Sequence, residues 1–163
     1  GISNFLPGLN ESDLPVYLDN REAYEFHYFK QPIFFASPGL TIISKKAFEA
    51  VGGFGEKRMV SDFEMWHKLS CYSPLVLMPG NMIHIREHAG QEVQDQQQFV
   101  VEYEKIKLNY LKDKNCPLTN QQVKLVKENR RNTAFKIGIR KLLKLDIKAA
   151  IPRLKVTWFY LWN

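Results

Sequence analysis

Turn-forming residues interrupt the first 91 residues every few positions and then almost stop, and this uneven punctuation constrains the fold more than any other feature. Pro7-Gly8, Pro15, Ser37-Pro38-Gly39, Gly52-Gly53, Ser73-Pro74 and Pro79-Gly80-Asn81 leave room between them only for short elements. Ile33–Ala36, Leu40–Ser44, Leu75–Met78 and Met82–Arg86 are β-rich runs of strand length. Lys45–Val51 reads as a short helix that Gly52-Gly53 ends. Ser61 followed by Glu64 has capping-box spacing, so a helix is expected from Ser61 up to Ser73-Pro74. The first 30 residues, rich in Tyr and Phe, read as irregular, with a short helix or strand near 23–29.

From about Glu92 the pattern becomes helical. Phe99, Tyr103, Ile106 and Tyr110 recur at helical spacing, which predicts one apolar stripe. Pro117 breaks that helix, a second runs from about Thr119 toward Leu145, and Asp146 caps a third. Pro152 is expected to kink or restart the third helix. The fold class is therefore α+β. Residues 1–91 supply short strands of a mixed sheet, and 92–163 form a mainly helical region.

Composition removes several alternatives. At 45% hydrophobic and 13% aromatic over 163 residues, the chain is neither a disordered tail nor a repeat, and it is long enough to bury a core. No apolar run reaches the roughly 18 residues of a membrane span, and no leader pattern opens the chain. Cys71 and Cys116 lack both a disulfide framework and metal-type spacing, which suits a reducing, cytoplasmic setting. The net charge of +6 conceals an asymmetry. Residues 1–100 carry 8 Lys+Arg and 12 Asp+Glu, residues 101–163 carry 15 and 5, so the chain runs from −4 to +10.

Three motifs fall in order within 40 residues: Gly52-Gly53-Phe54-Gly55, Ser61-Asp62-Phe63-Glu64-Met65-Trp66, and Ile85-Arg86-Glu87-His88-Ala89-Gly90-Gln91. Asp62 lies in the first turn of its helix, where the dipole favours negative charge, and shares a face with Met65, Trp66 and Leu69. Arg86 and His88 lie on the polar face of a strand, suited to diphosphate oxygens or to an ordinary solvated edge. His84 and His88 form a His-x-x-x-His pair without a nearby acidic or cysteine partner, which disfavours zinc.

Over residues 34–91 this order resembles the C-terminal half of the catalytic domain in family 2 glycosyltransferases, the inverting group with the GT-A fold. The resemblance implies a sugar moved from a nucleotide-sugar donor to a glycan or lipid-linked acceptor, with Asp62 as the general base. It implies donor or acceptor contacts at Gly52, Gly53, Trp66, Arg86, His88 and Gln91, and a divalent Mg or Mn ion that His88 helps to ligate. Two departures stand out. The acidic pair of the family is Ser61-Asp62 here, and no D-x-D occurs in the chain. The expectation is a transferase fragment that lacks the nucleotide-binding half, holds no metal tightly by itself and is inactive alone. The alternative is a non-catalytic interaction domain.

The basic rear interleaves Arg140, Lys141, Lys144, Lys148, Arg153 and Lys155 with Ile137, Ile139, Leu142, Leu143 and Leu145, and ends on Trp158-Phe159-Tyr160-Leu161-Trp162. Cations beside apolar residues suit an anionic membrane surface, placing the protein peripherally on the inner face. They equally suit helices packed with their lysines in solvent. No groove-reading element or stacking platform for nucleic acid is visible.

Overall fold

The computed structural model describes residues 14–57, 59–79 and 99–163. The chain divides into two compact units, 1–89 and 90–163. The first mixes strand and helix and the second is helical, so the chain is α+β.

In the first unit a capping box opens the first helix among the described residues. Asp19 accepts the Glu22 amide at 2.8 Å while the Glu22 carboxylate accepts the Asp19 amide at 2.9 Å. Helix α1 (Asn20–Glu25) then continues as a π-helical turn over Phe26–Lys30. Strand β1 (Val16–Leu18) precedes it and pairs antiparallel with β2 (Leu75–Leu77), Val16 opposite Leu77 and Leu18 opposite Leu75. The helical stretch falls on the expected short element near 23–29, and the strand lies where the sequence reads as irregular. A three-residue strand has no local signal when its partner lies almost 60 residues along the chain.

Two expected strands do not form. Phe34 and Phe35 sit in a turn, Pro38–Leu40 makes one 3₁₀ turn, and 41–44 runs without a ladder. Strand propensity describes fit to a pleated, half-buried surface. Here Phe34 instead enters the core, 2% exposed, stacked on His27 at 4.2 Å and edge-on to Tyr24 and His67. The expected strand over Met82–Arg86 lies outside the described residues.

Helix α2 (Lys45–Ala50) ends as its glycines predict. Gly52 and Gly53 take φ of +77° and +70°, and their amides return to the Glu49 and Phe48 carbonyls at 3.1 and 3.0 Å. Helix α3 (Ser61–Tyr72) starts at the expected place with a different cap. Val60, not Ser61, is the N-cap, and no side chain caps it, so the Ser61/Glu64 box is absent. Burial decides this: Val60 is 2% exposed, and Met59, at φ +68°, turns the chain so that Val60 enters the core.

The second unit consists of α4 (Val100–Lys112), α5 (Asn120–Leu143) and α6 (Ile147–Trp162). Thr119 and Gln122 form a capping box at the start of α5, and Asp146 caps α6 through the Ala149 amide at 3.2 Å. Helix α6 does not restart at Pro152. It runs through the proline and forgoes one backbone bond there. Leu108, Ala134, Val156 and Tyr160 form the core of this unit, with Val100, Val101 and Phe159 against it.

The stripe expected on α4 is displaced. Of Phe99, Tyr103, Ile106 and Tyr110 only Ile106 is fully buried, and Glu104, Lys107, Leu108 and Leu111 line the seam. Two charges can be buried because the fold completes their pairing. Glu104, 3% exposed, accepts from Lys107 at 2.8 Å, from the Tyr160 hydroxyl at 2.9 Å and from the Arg130 guanidinium.

Candidate functional site

Asp62 stands at the second position of α3, half-buried, while the next two residues on its face, Met65 and Trp66, are buried. One carboxylate oxygen accepts the Phe63 amide at 2.7 Å. Among the described residues no hydrogen bond is seen to the second oxygen, whose lone pairs can accept a proton.

The Gly-Gly-Phe turn is docked onto this helix. Phe54 meets Phe48 of α2 edge-on at 5.5 Å and Trp66 of α3 edge-on at 6.2 Å. Glu64, expected as a capping partner, lies over Gly55 instead, where a side-chain carbon would approach its carboxylate to 2.9 Å. Gly53 packs under Phe48, whose ring would stand 3.2 Å from a Cβ there, and beside Gly52 the space is open. The backbone of Gly52 is thus left uncovered on that side.

Trp66 is 8% exposed and donates its indole N–H to the Ala36 carbonyl at 2.7 Å. A ring so enclosed ties α3 to the preceding loop and offers no broad face for stacking a sugar. Among the expected site residues, Gly53 packs on Phe48, and Phe54 links that turn to Trp66, one helical turn beyond Asp62 on α3. Arg86, His88 and Gln91, together with His84, lie outside the described residues.

Behind Asp62 sits a polar core that the sequence did not announce. His67 is fully buried. Its Nδ1 lies 2.9 Å from the Phe63 carbonyl, which can only accept, so Nδ1 carries the proton. Its Nε2 then accepts from the Tyr28 hydroxyl at 3.2 Å. The Nδ1 of His27 accepts two backbone amides, Ile33 and Phe34, each at 3.0 Å. Tyr24 donates to the His67 carbonyl at 3.0 Å, with the Cys71 sulfur equally near. No local spacing marks either histidine, because their partners come from other elements.

Among the described residues no group of three or more His, Cys, Asp and Glu side chains stands close enough to hold a metal. The described residues thus provide no cage for the Mg or Mn ion that the resemblance implies, and no chemical step is drawn through one. A cavity of about 280 Å³ belongs to the helical unit, lined by Asn120, Val123, Lys124, Lys127, Glu128, Arg131 and Tyr160, and shares no residue with the Asp62 neighbourhood. Its cations are surface lysines and an arginine beside an acid, so it weighs less than the motif chemistry. Among the described residues no helix is long and apolar enough to cross a membrane. No protein-family model, curated protein or solved structure matches this chain.

Proposed function

We propose that the chain carries the acceptor side of an inverting, sugar-nucleotide-dependent glycosyltransferase, with Asp62 as general base. The observation that carries this reading is the docking of two motifs onto each other. The Gly52-Gly53-Phe54 turn that ends α2 is tied to α3, which carries Asp62 in its first turn, by the edge-on contact of Phe54 with Trp66.

In this reading Asp62 takes the proton from an acceptor hydroxyl as its oxygen attacks the anomeric carbon, and the nucleoside diphosphate leaves from the opposite face. The Phe63 amide fixes one carboxylate oxygen and aims the other. The left-handed Gly52-Gly53 turn lets backbone, rather than a side chain, approach the donor sugar. Trp66, through the Ala36 carbonyl, and His67, through the Tyr28 hydroxyl, hold the helix that presents the base. A reading as a non-catalytic interaction domain needs no half-exposed carboxylate at the start of α3, and no observation favours it for this unit.

The test is Asp62→Asn in the full-length polypeptide, assayed by nucleoside-diphosphate release from a panel of UDP-, GDP- and dTDP-sugars with glycan and polyprenyl-phosphate acceptors. The expected result is a loss of roughly 100-fold to 10,000-fold in kcat with little change in donor KM. Turnover within a few-fold of the parent rejects Asp62 as base. Turnover with no donor in the panel rejects the reading itself.

A further inference from the structure

We infer that the outer face of the α5–α6 hairpin is a docking surface for an anionic lipid bilayer. This inference rests on the helical unit alone and stands whether or not Asp62 is a base.

The two helices run antiparallel. Gly138 of α5 sits under Leu154 of α6, close enough that a Cβ would meet its Cδ2 at 2.8 Å, and Lys127 reaches the Asn163 carbonyl at 3.2 Å. Helix α4 covers one side of the pair, held by Glu104 to Arg130 of α5 and to Tyr160 of α6. On α6 the residues turned toward α4 are Val156 and Tyr160. Ile147, Ile151, Trp158, Leu161 and Trp162 lie on the opposite side of the α5 seam, all about half exposed or more.

On α5, Phe135, Ile139, Leu142 and Leu143 repeat at spacings of four, three and one, and all are exposed. They lie across the seam from Arg130. Because the helices are antiparallel, the two stripes emerge on the same side of the hairpin, away from α4. A solvated surface does not ordinarily collect nine large apolar side chains on one face.

The hairpin tip adds an independent observation. The residue after a helix C-cap that takes positive φ is ordinarily glycine. Here it is Leu145, at φ +58° and 85% exposed, with no packing to offset the strain. A leucine held at that cost in solvent is explained by what its side chain enters.

Charge selects the occupant. Lys136, Arg140, Lys144, Lys148 and Lys155 are all exposed and flank the stripes. Trp158 and Trp162 lie 5.6 Å apart on the same face, suited to the headgroup level of a bilayer. An apolar centre with a cationic border fits a helix pair lying in the plane of an anionic membrane. A second copy of the chain would bring the same cationic borders together and repel.

The experiment is co-sedimentation of the full-length protein with vesicles of phosphatidylcholine alone or containing about a third phosphatidylglycerol. Binding is expected on the anionic vesicles, weakened by salt, with a blue shift of Trp158 and Trp162 emission in a Trp66→Phe background. Leu143→Ser with Leu145→Gly should weaken binding roughly ten-fold. Leu145→Gly relieves the backbone strain, so Tm should hold or rise in that single variant. Each charge removed at Arg140, Lys144 or Lys148 should cost about five-fold.

Equal partition onto neutral and anionic vesicles overturns the inference, as does no partition. A concentration-dependent dimer that Leu145→Gly abolishes, without vesicle binding, assigns the face to a second copy. Emission already blue-shifted before vesicles are added, with no binding, assigns it to another part of the polypeptide. Either result overturns the bilayer.

Discussion

His27 shows how one buried polar atom can organise a loop. The chain leaves the π-helical turn at Lys30 and passes through a segment without regular structure, where backbone amides need partners. The Nδ1 atom of His27 accepts two of them, and the ring stacks on Phe34 at an interplanar angle of 13°. His27→Phe keeps the ring's bulk and removes the acceptor. With the Phe34 amide buried and the Ile33 amide partly so, the loss should be about 2–4 kcal/mol in urea unfolding followed by Trp66 fluorescence. An unchanged midpoint would mean that water replaces the imidazole. None of this was legible in the sequence, where His27 was one aromatic among many. The Gly52-Gly53 helix stop was legible, because positive φ is a backbone demand that glycine answers locally.

Helix starts at Thr119 and Asp146 are legible in local signals, whereas the Ser61/Glu64 pair, equally local, yields to the burial of Val60. Thr119 with Gln122 and Asp146 with Ala149 mark helix starts within four residues, and both helices begin there. The strands expected over 33–36 and 40–44 failed because apolar β-branched and aromatic residues also suit a loop pinned to a core. The α5–α6 seam shows the same division. Gly138, a residue unfavourable to a helix by itself, lets Leu154 of α6 pack where a side chain would stand. Leu154 Cγ would lie 3.0 Å from a Cβ at that position, and Arg153 Cβ 3.6 Å. Gly138→Val should therefore push the helices apart and lower stability by about 1–3 kcal/mol, outweighing any gain in helix propensity. Thermal unfolding monitored by circular dichroism measures it, and a raised Tm would show that Leu154 swings clear.

At the scale of the whole chain, charge is distributed as −4 over residues 1–100 and +10 over 101–163. The cationic helical unit nevertheless keeps one carboxylate at its centre, and that carboxylate sets how the unit responds to acid. Burial opposes ionisation of Glu104, but Lys107 and Arg130 outweigh it and hold the carboxyl down to about 2 from an ordinary 4.5. Lys107 is lowered as well, which for a cation disfavours the charged form. Burial lowers it to about 8, and the attraction of Glu104 is partly cancelled by Arg130 and Arg153. Glu104 thus gains on balance from this cluster, whereas its partner lysine does not. Because the folded carboxyl titrates below the unfolded one, its contribution is complete above about pH 4.5 and fades as pH falls toward 2. The difference corresponds to stability on the order of 3 kcal/mol. Urea midpoints of the helical signal should fall steeply across that window, while repulsion among the cations adds to the loss. Glu104→Gln should be destabilised at neutral pH by about 3–5 kcal/mol, because Arg130 would keep its charge without a counter-ion and the buried Lys107 would lose the group that favours its own. It should then lose little more on acidification. A parent protein as flat as the variant between pH 4.5 and 2 would show that Glu104 does not carry the acid response.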